Sequence, residues 1–157
     1  MTTEQSIRDF LAQKRIAVVG ASRKPGSFSH KLFHDLWKHG YDAVPVNPGT
    51  SNYDDLPCAA RVQDIVPPVG AALVMTSDRH TGQAVRDCAA AGISRVWIHL
   101  GAGKTPLSPE DIEFCRDNGI RVITGYCPYM FLPDSGFPHN FHGWIARLGK
   151  DYKAEKV

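Results

Sequence analysis

The chain has 157 residues, 43% of them hydrophobic and 22% charged, with a formal net charge of +2 at pH 7. That length makes one domain and buries roughly two thirds of the unfolded surface without staples. The near-neutral balance excludes a long-range pull toward nucleic acid or membrane, so any basic site is local.

The four cysteines, Cys58, Cys88, Cys115 and Cys127, are scattered with no CxxC pair. Cys88 and Cys115 fall on apolar helix faces, where reduced thiols act as small hydrophobes. Met1 to Gln5 lacks the charged head and apolar run of a secretory leader. No apolar stretch approaches the ~20 residues of a membrane span. A cytoplasmic location is expected.

Taken in order, the chain opens with a short amphipathic helix, Thr2 as its cap and Ile7, Phe10 and Leu11 as its stripe. Arg15 to Gly20 reads as a buried strand and Ala21 to Ser27 as a small-residue loop. A helix over Ser29–His39 follows, with Leu32, Phe33, Leu36 and Trp37 on one face expected to lie on the sheet. Gly40 closes it, and Ala43 to Pro48 forms a second strand. From Ser51 to Val69 the pattern breaks into prolines and mixed residues, with one short element near Arg61 to Ile65.

Order returns at Ala71 to Met75, a continuous apolar run of the kind covered on both faces. A helix from Asp78 to Ala91 stops at Gly92, and Arg95 to Leu100 is the next strand. Ser108-Pro109-Glu110-Asp111 starts another helix, with a capping serine, an early proline and two acids. Gly119 ends it before a last strand, Arg121 to Thr124. Strands alternating with helices imply an α/β, Rossmann-like, doubly wound parallel sheet in a single domain. The domain core is expected over residues 1–125. Residues 126–157 form a proline- and aromatic-rich extension packing on the same domain, with a short closing helix over Asn140–Leu148. Exposed aromatics at that density tend to be covered, so the extension also fits a homodimer or a synthetase partner subunit.

The first strand, loop and helix make a βαβ unit that places a phosphorylated ligand where free amides and the helix dipole meet. The dinucleotide fingerprint requires glycine at three loop positions, which here are Gly20, Ser22 and Pro25, so only the first matches. The acid that would accept from a ribose hydroxyl at the second strand end is replaced by Asn47. No Gly-Lys-Ser/Thr opens the helix, which excludes a phosphate-loop NTPase. Arg23, Lys24 and Lys31 flank the loop and suit a phosphate-bearing ligand that is neither NAD nor a nucleoside triphosphate.

Gly20-Ala21-Ser22 with Pro25 and Ser29, Gly40-Tyr41 through Val44-Pro45-Val46-Asn47-Pro48, Val96-Trp97 and the late Cys127 form an ordered set. Over about residues 10–127 that set resembles the small bacterial and archaeal CoA-binding proteins. Those proteins are similar to the N-terminal CoA-binding domain of the succinyl-CoA synthetase α subunit. The resemblance implies CoA lying across the strand carboxyl ends, its phosphates on Gly20, Ala21, Ser22 and Pro25. Val46, Asn47 and Pro48 would wall the nucleotide end, and Val74, Met75 and Thr76 would line the crevice. Where that family often carries a basic residue two positions after the loop proline, this chain has Ser27, so Lys24, Arg23 or Lys31 would meet the charge. His99 stands where the family usually has glutamine.

Cys127 follows the last strand and would meet a CoA thiol if it reached the crevice with a lowered pKa. His99 is read as a strand-end hydrogen-bonding residue. His30 and His34 have the spacing of a two-histidine metal pair, but the sequence shows no third ligand, and Asp54 and Asp55 read as turn acids. His139 and His142 read as capping or packing residues. No metal and no catalytic set are expected. The chain thus reads as a CoA or acyl-CoA binding protein, a carrier, sensor or accessory rather than an enzyme. Two alternatives stand beside that reading: an NAD(P)-dependent oxidoreductase, or a non-catalytic CoA-binding subunit completing a synthetase with a partner chain.

Overall fold

The computed structural model describes residues 3–100 and 107–132. In chain order the elements are α1 (Thr3–Leu11), β1 (Arg15–Val19), α2 (Phe28–Lys38) and β2 (Asp42–Val46). A small hairpin, β3 (Asn52–Tyr53) and β4 (Leu56–Pro57), and a 3-10 turn (Val62–Asp64) come next. Then follow β5 (Ala71–Val74), α3 (Asp78–Ala90), β6 (Arg95–Ile98), α4 (Pro109–Asp117), β7 (Arg121–Ile123) and a second 3-10 turn (Pro128–Met130). The expected closing helix near Asn140 lies outside the described residues.

Five strands form one parallel sheet in the order β2-β1-β5-β6-β7. Alternation along each strand divides the core. Ile16, Val18, Leu73, Trp97 and Ile123 face α1 and α2, together with Tyr126, Tyr129, Phe131 and Leu132. Ala17, Val19, Val74, Val96 and Ile98 face α3 and α4. The start of the aromatic extension therefore packs on its own sheet. There Trp97 Nε1 donates to the Tyr126 carbonyl at 3.0 Å inside the core.

Asp9 of α1 accepts from Arg95 Nε at 2.7 Å and from Arg121 Nη2 at 2.8 Å, which ties that helix to β6 and β7. Two local expectations change. The helix expected over Ser29–His39 runs one residue earlier at each end, Phe28–Lys38, with Ser27 as its cap accepting from the His30 amide at 3.3 Å. Trp37 does not lie on the sheet: it is 43% exposed, and its indole N–H donates to the Ala43 carbonyl at the sheet edge.

Candidate ligand crevice at the strand carboxyl ends

From β1 the chain runs to one side to make β2 and later to the other side to make β5. That reversal leaves a crevice outside the carboxyl ends of the two central strands, the position where open α/β sheets take ligands. Here it has a volume of about 460 Å³ and is lined by Val19, Gly20, Val46, Asn47, Pro48, Ala60, Arg61, Val62, Met75, Thr76, Ser77, His80, Gln83, Ala84 and Asp87. The size lies within the ~300–1,000 Å³ common for small-molecule sites.

Gly20 is the corner of this crevice. Its φ is +85°, and a Cβ there would stand 2.9 Å from the main chain of Met75 and Thr76. Only glycine allows β1 to end so close to the end of β5. The Gly20 amide donates to the Val46 carbonyl and the Met75 amide to the Val19 carbonyl, so the ladder continues past the strand ends.

The following loop is braced by its own side chains. The Ser22 amide donates to Ser29 Oγ and the Lys24 amide to Ser22 Oγ, both at 3.1 Å. The Tyr53 hydroxyl reaches the Ser22 carbonyl at 2.9 Å, and burial is the main reason its pKa is pushed up to about 12. Asn47 donates from Nδ2 to the Ala21 carbonyl and accepts from the Gly49 amide at Oδ1. Both ends of that amide are thus engaged in holding the loop.

Of the residues expected to touch a ligand, Gly20, Val46, Asn47, Pro48, Met75 and Thr76 line the crevice. Ala21 and Val74 are fully buried behind it. Ser22, Lys24 and Pro25 sit on the loop beside it, and Ser27 is engaged as the α2 cap. Lys31 lies on α2 with its ammonium 5.8 Å from the Tyr129 ring centre. Cys127 packs with the α1–α2 side of the core, and burial pushes its thiol pKa up, away from the thiolate. His99 continues the ladder through its amide to the Val74 carbonyl, and its ring lies 4.9 Å from that of Phe28. Burial lowers its pKa, which keeps the imidazole neutral over a wider range.

Sequence reasoning missed the opposite wall. Arg61 comes from the segment that lacked periodicity, and its guanidinium pairs with Asp64 at 3.2 Å. His80, Ala84 and Asp87 lie along one stripe of α3, a spacing visible in the sequence once the helix is seen to start beside the β5 end. Ser77 Oγ and His80 Nδ1 are 2.8 Å apart, and Asp87 Oδ1 accepts from Gln83 and Gln63.

This architecture is an open, Rossmann-like α/β domain with its crevice at the topological switch point. The chain belongs to the CoA binding domain family, whose sequence profile matches residues 14–133. It is similar to acetate–CoA ligase (ADP-forming) II of Archaeoglobus fulgidus, 24% identical over 147 residues, 88% of this chain but 22% of the ligase. It spans less than a quarter of that relative's length. A hypothetical protein from Pyrococcus horikoshii OT3 superposes with a TM-score of 0.71 at 25% identity, covering 81% of this chain and 87% of that one. The dinucleotide-forming acetyl-coenzyme A synthetase 1 of Ca. Korarchaeum cryptofilum, in complex with phosphate and ADP, superposes at 0.63 and 25% identity. That match covers 71% of this chain and 25% of that one.

Proposed function

We propose that this chain is a cytoplasmic carrier, sensor or accessory protein that binds CoA or an acyl-CoA across the carboxyl ends of β1 and β5. The observation that carries the reading is the Gly20 corner: backbone approaches a small-molecule crevice there without side chains, beside a loop held in place by Ser29, Asn47 and Tyr53. In this reading the diphosphate lies on the loop from Gly20 to Lys24, at the mouth of the crevice. The nucleotide end lies between the wall of Val46 and Pro48 and the wall of Arg61 and Val62. Arg61 supplies the cation facing the crevice, and Lys24 supplies a second from the loop.

The engagement of Asn47 speaks against a dinucleotide oxidoreductase. A residue that would accept from the NAD ribose belongs at this strand end, and here the amide is already bonded at both ends. The short span relative to the ligases favours a second reading, in which the domain supplies CoA binding to a separately encoded synthetase partner.

Isothermal titration with CoA, dephospho-CoA, NAD and NADP in parallel tests the first reading. Micromolar binding of CoA, weakened at least tenfold by Arg61→Ala with the thermal midpoint unchanged, is the expected result. Binding of NAD or NADP in place of CoA would promote the oxidoreductase. Silence toward all four would shift the assignment to a subunit that binds only with its partner.

A further inference from the structure

On the sequence, His30 and His34 are a two-histidine pair with no third donor. The fold supplies one. The β3–β4 hairpin turns through Asp54, which takes a φ of +49°, and its carboxylate comes back against α2. His34 Nε2 lies 2.7 Å and His30 Nε2 3.2 Å from Asp54 Oδ2, and the two Nε2 atoms are 3.3 Å apart. One carboxylate oxygen and two imidazole nitrogens therefore converge on one point from two elements 20 or more residues apart in the chain.

We propose that His30, His34 and Asp54 form a binding site for a divalent transition-metal ion of the zinc class. Four donors placed tetrahedrally about 2.0–2.1 Å from zinc stand roughly 3.3 Å from one another. Two of the three separations here are close to that value, and the third, His34 Nε2 to Asp54 Oδ2 at 2.7 Å, opens to it by a small rotation of an exposed carboxylate. Two imidazoles with one carboxylate select zinc, copper or nickel over magnesium and calcium, which prefer oxygen-only sets.

The rings are held for the task. Their centroids are 4.5 Å apart, His34 stacks 6.4 Å from the Tyr53 ring, and Phe33 meets it edge-on at 5.4 Å. The His30 side chain is 16% exposed, whereas those of His34 and Asp54 are about two-fifths exposed, so solvent reaches the fourth position. With His34 and Asp54 this exposed and one position left to water, the expected affinity is micromolar rather than that of a closed structural zinc site. Bound there, the ion clamps α2 to the hairpin whose Tyr53 hydroxyl holds the Ser22 carbonyl of the loop.

The test is a zinc titration of the tag-free full chain by calorimetry, with cobalt substitution read by visible absorption. One zinc per chain at micromolar affinity is expected. His34→Ala and Asp54→Asn should each weaken it at least tenfold, while His39→Ala, at the C-terminal cap of α2, leaves it unchanged. Circular dichroism of each variant confirms that the fold is retained. X-ray absorption fine structure at the zinc edge of the wild type gives a readout free of mutation and should show two imidazoles. Equal zinc affinity in wild type and both variants, no zinc binding, or an imidazole count other than two would overturn the site.

Discussion

At Gly20 a single missing side chain serves two ends. If Gly20 only made room for the phosphates that the resemblance places on it, Gly20→Val would remove ligand binding and leave the fold nearly intact. The packing changes that expectation, because the added Cβ would first meet the Met75 and Thr76 main chain at 2.9 Å. Backbone on both sides has no flexible end to swing away. Left-handed φ for a residue with a Cβ and overpacking of a closed junction together cost about 2–5 kcal/mol. Urea unfolding of Gly20→Val should show a loss of that size, and an unchanged midpoint would refute the junction. Asn47 teaches a related lesson. Its identity at the strand end was legible as a missing acid, but its role in tying Ala21 to Gly49 depends on where the loop folds back.

Among the elements, α4 was the most legible, because its start is written in four consecutive residues. Ser108 Oγ accepts from the Asp111 amide at 3.1 Å, and Asp111 Oδ2 accepts from the Ser108 amide at 3.3 Å. That reciprocal pair satisfies two first-turn donors. Ser108→Ala should lower stability by about 1 kcal/mol, measured as a shift in the chemical unfolding midpoint; a shift below a few tenths would show that the cap is dispensable. The β3–β4 hairpin was not legible. Its strands are two residues each and its Asp54-Asp55 turn lacks the Asn-Gly or Asp-Gly signature of tight hairpins. Trp37 failed for another reason: periodicity placed it on the apolar face of α2, but β2 is the sheet edge, so the last turn of the helix overhangs it.

For the molecule as a whole, three carboxylates join elements distant in sequence. Each is held below the usual carboxylate range: Asp9 chiefly by the Arg95 hydrogen bond, Asp35 by the Tyr129 hydroxyl at 2.6 Å, and Asp111 by Arg86. A carboxyl whose pKa is lower folded than unfolded adds stability that is complete above the unfolded value, near 3.9. That contribution is lost as pH falls through the lower folded value. The stability gap between wild type and Asp35→Asn should therefore be constant above about pH 5 and narrow progressively below about pH 4. Unfolding midpoints collected from pH 6 to pH 2 check this; a gap that stays constant to the acid end would remove Asp35 from the account. Among the described residues no helix is long and apolar enough to cross a membrane.

Local pattern determined the alternation of strands and helices, the position of the glycine loop and the strand ends that meet at the crevice. Those features follow from side-chain periodicity, caps and breakers, which act over a few residues. Tertiary structure alone decided which charges face that crevice, bringing Arg61 to it while Lys31 lies against Tyr129. It also placed Cys127, half-buried, against the core on the α1–α2 side of the sheet and carried Asp54 across to His30 and His34. Such meetings are set by how a long connection packs back on the sheet, and no short-range signal in the chain encodes that.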